Sequence, residues 1–210
     1  MPFSGIKVVI FDCDGVLIHS FNSTCYYFNR IREEVGLPPM NREQQEYAFI
    51  HSVEETLDWF IPTELRGKAA QSKRGITAQD LVPRLTLEPG ITELLATLKN
   101  KGTAMAVDTN GGHEAREILE SLGILDYFRM VVTADDVARP KPFSDGVDHI
   151  LTTLEATREQ AVFIGDSKVD ERTAAESGLT FWAYDNPELS AEKYIEDFHA
   201  LKTQLEQAAC

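Results

Sequence analysis

Five short apolar runs punctuate this chain, at residues 6–11, 103–107, 129–132, 161–164 and 180–184. Each is short and bounded by turn residues or charge, which reads as a buried strand. Helical patterns stand between the later runs. Ile91, Leu94, Leu95 and Leu98 fall at i, i+3, i+4 and i+7, a spacing repeated by Ala115, Ile118, Leu119 and Leu122 and by Val147, Ile150, Leu151 and Leu154. Each set lays one apolar stripe toward a core. Gly102 and Gly123 sit where helix stops belong, and Thr157 with Gln160 has the pattern of a capping box. Strand alternating with helix implies parallel pairing through right-handed crossovers. The expected fold is α/β, a doubly wound, Rossmann-like parallel sheet.

One connection breaks the rhythm. About eighty residues separate the first strand from the stripe that begins at Ile91, far more than a strand-to-helix loop needs. The stretch carries helical signals of its own. Cys25, Phe28, Ile31 and Val35 lie along one face, and Val53, Leu57 and Phe60 along another. Asn41 with Gln44, and Ser52 with Glu55, read as capped helix starts. Leu37-Pro38-Pro39 and Ile61-Pro62 separate the pieces. The expected organisation is an α/β core from residues 1–17 and 89–210, with an all-helical cap inserted at 18–88. In open sheets ligands bind at the C-terminal strand edge, where this insertion enters.

Charge narrows the partners. Lys plus Arg total 20 and Asp plus Glu 34, a net charge of -14. So acidic a chain argues against nucleic acid and anionic membranes. The acidity is uneven: residues 19–85 hold eight basic and nine acidic residues, with four basic and no acidic ones from Arg66 to Arg74. Cys13, Cys25 and Cys210 match neither a zinc spacing nor a disulfide framework, which suits a reducing cytoplasm. No run is long enough to span a bilayer, and no signal peptide is expected. A monomer or homodimer is expected.

The chemistry collects at strand ends. Asp12 and Asp14 follow the first strand, and Asp108-Thr109-Asn110-Gly111-Gly112 the second. Arg139-Pro140-Lys141-Pro142 comes later, then Gly165-Asp166-Ser167 with Asp170 at the start of a helix. The topology brings all of these to one sheet edge. Converging carboxylates raise one another's pKa values, so a cation must offset them. Hard oxygen ligands in this number suit Mg²⁺. Lys141 adds positive charge, Thr109 a hydroxyl, and the turn after it backbone N–H groups. Acids, a divalent metal, a lysine and an N–H-lined turn describe phosphoryl transfer. Asp108 reads as local turn chemistry. None of the five histidines lies at metal-ligand spacing; His51 and His113 are read as structural or surface groups.

Asp12-Cys13-Asp14-Gly15-Val16, Thr109-Asn110, Lys141 and Gly165-Asp166-Ser167 with Asp170 together resemble, in order, the four motifs of the haloacid dehalogenase superfamily. The resemblance is to its phosphatase branch with a helical cap, in the phosphoglycolate phosphatase-like group. It implies that Asp12 attacks phosphorus and that Asp14 protonates the leaving oxygen and then activates water. It further implies that Asp12, the Asp14 carbonyl and Asp166 bind Mg²⁺, with Asp170 supporting the metal directly or through water. Thr109, the Asn110 N–H and the Cys13 N–H would hold phosphoryl oxygens, and Lys141 would neutralise nucleophile and phosphoryl group. The implied substrate is a small phosphorylated molecule. One departure is His19, where relatives often carry an acid.

Rival readings differ in order or inventory. A sugar phosphomutase would keep all four motifs. A phospho-accepting receiver domain also gathers acids, a Thr and a Lys around Mg²⁺, but there the phosphorylated Asp follows a later strand and Lys comes last, whereas here Lys141 precedes Asp166 and a cap interrupts the first crossover. A dehalogenase would lack Asp14 and need no metal.

Overall fold

In a computed structural model, described over residues 5–51 and 53–207, Val8–Phe11 (β1) lies inside a six-stranded parallel sheet. Ala104–Asp108 (β4) pairs on one side of it and Ala161–Gly165 (β6) on the other. Met130–Val132 (β5) extends the first side, Thr180–Tyr184 (β7) and Lys193–Ile195 (β8) the second, giving the order β5-β4-β1-β6-β7-β8. The α/β, doubly wound expectation holds. Sequence patterning misses β8, whose three residues alternate in burial and carry no apolar run. Ile18–His19 (β2) and Thr86–Leu87 (β3) form a separate two-stranded ribbon.

The crossovers are made by Ile91–Asn100 (α6), Glu114–Ser121 (α7), Asp145–Thr153 (α8) and Lys168–Ser177 (α9), with Phe198–Gln207 (α10) after β8. All four residues of the Ile91 stripe are buried. Gly102 and Gly123 follow their helices at φ of 75° and 74°, the left-handed stop the sequence suggests. Thr157 and Gln160 form a capping box, but it closes only the short turn Arg158–Gln160 that leads into β6.

Every residue of β1 is buried. Strand side chains alternate between faces. Val8 and Ile10 join Ala106, Phe163, Val147, Ile150 and Ala174 in one core cluster, so α8 and α9 pack on that face. Ile10 and Phe163 are fully enclosed; truncating either to Ala costs about 2–5 kcal/mol.

Residues 20–86 form a second compact unit, and the rest of the chain the first. The second unit is helical: Phe21–Glu34 (α1), Arg42–Ile50 (α2), Val53–Phe60 (α3), Arg66–Lys73 (α4) and Ala78–Leu81 (α5). Phe28, Ile31, Val35 and Phe60 share its core with Met40 and Ala69. Asn41 and Gln44 make the expected capping box on α2; Ser52 lies outside the described residues, as does Cys210. Arg32 is buried here, donating to the Pro38 carbonyl at 2.7 Å with its guanidinium 5.0 Å from the Phe60 ring centre.

Candidate active site

The connections reverse direction between β1 and β6. From β1 the chain winds through β4 to β5; from β6 it winds the opposite way, through β7 to β8. That is the switch point at which open α/β sheets bind ligands. Asp12 leaves β1 and Asp166 leaves β6 at this point, in adjacent, parallel-paired strands.

Asp12 is buried, and two donors meet its Oδ1: the Cys13 N–H at 2.7 Å and Lys141 Nζ at 2.6 Å. Lys141 Nζ also donates to Asp170 Oδ1 at 2.6 Å. The second Asp170 oxygen takes the Ser167 hydroxyl at 2.5 Å and the Ser167 N–H at 3.1 Å. Asp170 is therefore both the closing residue of the α9 capping box and the buried anchor of Lys141. Asp14 is exposed, one residue along from Cys13. Gly15 adopts φ of 81°, and a Cβ there would stand 2.2 Å from Asp166 Oδ2, so only glycine lets this turn approach Asp166.

On the neighbouring strand, Thr109 is buried and its hydroxyl accepts the Gly111 N–H at 3.0 Å. The Asn110 amide donates to the Lys141 carbonyl at 3.0 Å, tying the second strand's turn to the lysine loop. The structure thus gathers Asp12, Thr109, Asn110, Lys141, Asp166 and Asp170 at one edge. His19 is exposed with Nδ1 3.6 Å from Glu88 Oε1, and Tyr184 donates to the other Glu88 oxygen at 3.1 Å. His113 pairs with Asp135 at the surface, and His51 stacks on Tyr47.

Asp108 departs from its reading as turn chemistry. It is 3 % exposed, and its Oδ2 is buried with no hydrogen-bond partner. Nothing in the local pattern marks it, since β4 simply runs one residue past the apolar stretch before the chain turns.

Electrostatics bind the set together. Burial pushes the Asp12 carboxyl well up, Asp170 and Asp166 add to this, and Lys141 opposes it. Burial and then Asp170 raise Asp166 to about 7. Burial disfavours the Lys141 charge, yet Asp12, Asp170 and Asp108 outweigh it and hold the ammonium above the usual lysine value. One ammonium thus faces several carboxylates that destabilise each other. Oxygens of Asp12, Asp166 and Asp170 come within 4.8 Å of one another. An all-oxygen donor set with surplus negative charge, under a turn that only glycine permits, fits a hard divalent cation.

The family model of the haloacid dehalogenase-like hydrolases matches residues 9–184. The chain belongs to this family. Among its relatives are the phosphoglycolate phosphatase of Rhodobacter capsulatus, 29% identical over 84% of this chain and 83% of that one, and that of Rhodospirillum rubrum, 30% identical over 82% and 77%. The crystal structure of a subfamily IA, variant 1 hydrolase of this superfamily from Geobacter sulfurreducens superposes with a TM-score of 0.85 at 31% identity, covering 95% of this chain and 99% of that one. Among the described residues no helix is long and apolar enough to cross a membrane.

Proposed function

We propose that this chain is a Mg²⁺-dependent phosphatase that works through phosphorylated Asp12, acting on a small phosphorylated acid of the phosphoglycolate kind. The contact of the buried Asp12 with Lys141 at 2.6 Å carries the reading. A carboxylate held beside an ammonium at a sheet switch point is an oriented nucleophile with its charge offset.

Both donors to Asp12 meet Oδ1, so Oδ2 is assigned the attack. A bond forms from Oδ2 to phosphorus as the bond from phosphorus to the leaving oxygen breaks, and Asp14 gives that oxygen its proton. Asp14 then takes a proton from water. The water oxygen bonds to phosphorus, the bond from phosphorus to Asp12 Oδ2 breaks, and inorganic phosphate leaves. The exposure of Asp14 suits an acid that must meet both leaving group and solvent. Thr109, with the N–H groups of Asn110 and Cys13, is assigned to the phosphoryl oxygens. The Cys13 N–H now on Asp12 Oδ1 must divide its hydrogen bond between the two.

Asp12, Asp166 and the Asp14 carbonyl would hold the Mg²⁺, which when bound supplies positive charge against the phosphoryl oxygens. Asp170, whose oxygens are taken by Lys141 and Ser167, supports that set through Lys141. The unit at 20–86 is read as the cap that selects the leaving group. Within it Arg66, which makes an exposed ion pair with Asp58 at 2.8 Å, Lys68, Lys73 and Arg74 are the cations proposed for an anionic substrate.

The test is hydrolysis of an aryl phosphate with and without Mg²⁺, followed by a panel of phosphorylated metabolites that includes phosphoglycolate. Metal-dependent release of phosphate from both is expected. No turnover of any phosphate monoester would overturn the reading.

A further inference from the structure

Asp108 is a carboxylate that the proposed chemistry leaves unused. It ends β4, one residue before Thr109, and is 3 % exposed. Its Oδ2 is buried without a hydrogen-bond partner. Its Oδ1 lies against the first turn of α8: a Cβ on Gly146 would stand 2.4 Å away, so the helix start is glycine where this carboxyl needs room. Leaving a carboxylate dry and unpaired is costly. Burial, with Asp170 adding and Lys141 opposing, raises its pKa to about 6. Asp108 in turn is one of the three carboxylates that hold up the charge of Lys141, after Asp12 and Asp170. Those two take direct hydrogen bonds from Nζ. Asp108 acts on the ammonium through space, and the register of β4 on β1, with Val107 opposite Phe11, sets it beside Asp12 at the strand ends.

Resting on the phosphatase reading above, we propose that Asp108 is a positioning residue that acts through Lys141. Its buried charge keeps the ammonium in the acidic cluster and subtracts from the positive potential offered to a phosphoryl group. The site thereby gains hold on a divalent cation and loosens its hold on oxyanions, including the phosphate it must release.

A packing role and a charge role predict different outcomes. Removing a wall of the site weakens the binding of every ligand. Removing one buried negative charge strengthens anions and weakens cations. Asp108→Asn keeps the shape and deletes the charge; Asp108→Ala deletes the charge and leaves a small gap. For both variants, inorganic phosphate is titrated calorimetrically into protein saturated with Mg²⁺, and Mg²⁺ alone into metal-free protein. Phosphate is expected to bind about three- to thirtyfold more tightly and Mg²⁺ more weakly by a similar factor, the scale of one charge at such range. KM for an aryl phosphate should fall alongside the phosphate Kd. Phosphate affinity that is unchanged or weaker in a folded Asp108→Asn overturns the inference. If that variant does not fold, the same readout on Asp108→Ala decides. Failure of the phosphatase reading looks different: the unsubstituted protein would then show no metal-dependent turnover at all.

Discussion

Lys141 and Asp12 stand 129 positions apart in the chain and meet at 2.6 Å with both side chains almost fully buried. Three connections serve that contact. Asp170 also holds the ammonium, Asn110 holds the lysine's backbone carbonyl, and the adjacent Cys13 N–H holds the carboxylate. Asp170 and Asn110 come from two other connections of the sheet, which is why the geometry of the pair is a property of the whole α/β unit.

Replacing Asp12 with Asn should remove turnover while leaving the fold intact. An amide is a poor nucleophile, and phosphate monoesters hydrolyse so slowly on their own that little background can hide the loss. Mass spectrometry after trapping with a phosphate mimic should place the label on Asp12 in the unsubstituted protein. Label on any other residue would reassign the nucleophile.

Chelation should abolish hydrolysis, and added Mg²⁺ should restore it. The mutual proximity of Asp12, Asp166 and Asp170 oxygens motivates this. A chelator titration of aryl phosphate turnover is the check, and full activity in excess chelator would rule the metal out.

Asp14→Asn should slow turnover by about 10² to 10⁴, the usual worth of a general acid or base. Mg²⁺ affinity should hardly change, because the ligand assigned there is the backbone carbonyl. In single-turnover assays the loss should be larger for alkyl than for aryl phosphates, whose leaving groups need less protonation. Equal losses for the two would argue against the acid role.

Lys141→Met should unpair two buried carboxylates at once. Removing one partner of a buried ion pair costs about 3–5 kcal/mol. The sign with pH comes from Asp12, whose carboxyl burial pushes up and Lys141 draws back down. Without the ammonium its folded-state pKa lies still further above that of the unfolded chain. The penalty is then fully present at neutral pH and shrinks as the pH falls through the raised value. Urea unfolding at neutral pH and at about pH 4 to 5, near ordinary carboxyl values, should show the gap to the unsubstituted protein closing. A gap that widens in acid would show that the pairing contributes little.

Gly15→Ala should be damaging out of proportion to its one added methyl group. Left-handed backbone costs an L-residue roughly 1–2 kcal/mol, and the new Cβ would collide with Asp166 at 2.2 Å. The expected results are lower thermal stability and weaker Mg²⁺ binding by calorimetry. Unchanged metal affinity would mean that the turn does not shape the site.

The alternation of apolar runs and helical stripes was enough to name the architecture, because the periods 2 and 3.6 are local properties of neighbouring residues. The same holds for the acids after β1 and β6, which stand out as charge abutting a buried run. The bond from Lys141 to Asp170 was not legible, nor the double duty of Asp170 as capping residue and anchor. Helix-start acids are ordinary, and only the fold decides which of them turns inward. Asp108 was misread for the same reason. In sequence it is one more polar residue at a strand end. Its burial is decided by α8, which packs Gly146 against it from 38 positions away. Local pattern thus determined most of the elements and the residue types at the sheet edge. The pairing of those residues, and the charge each one feels, came only from tertiary structure, because desolvation and Coulomb energy depend on distances that neighbours in sequence do not set.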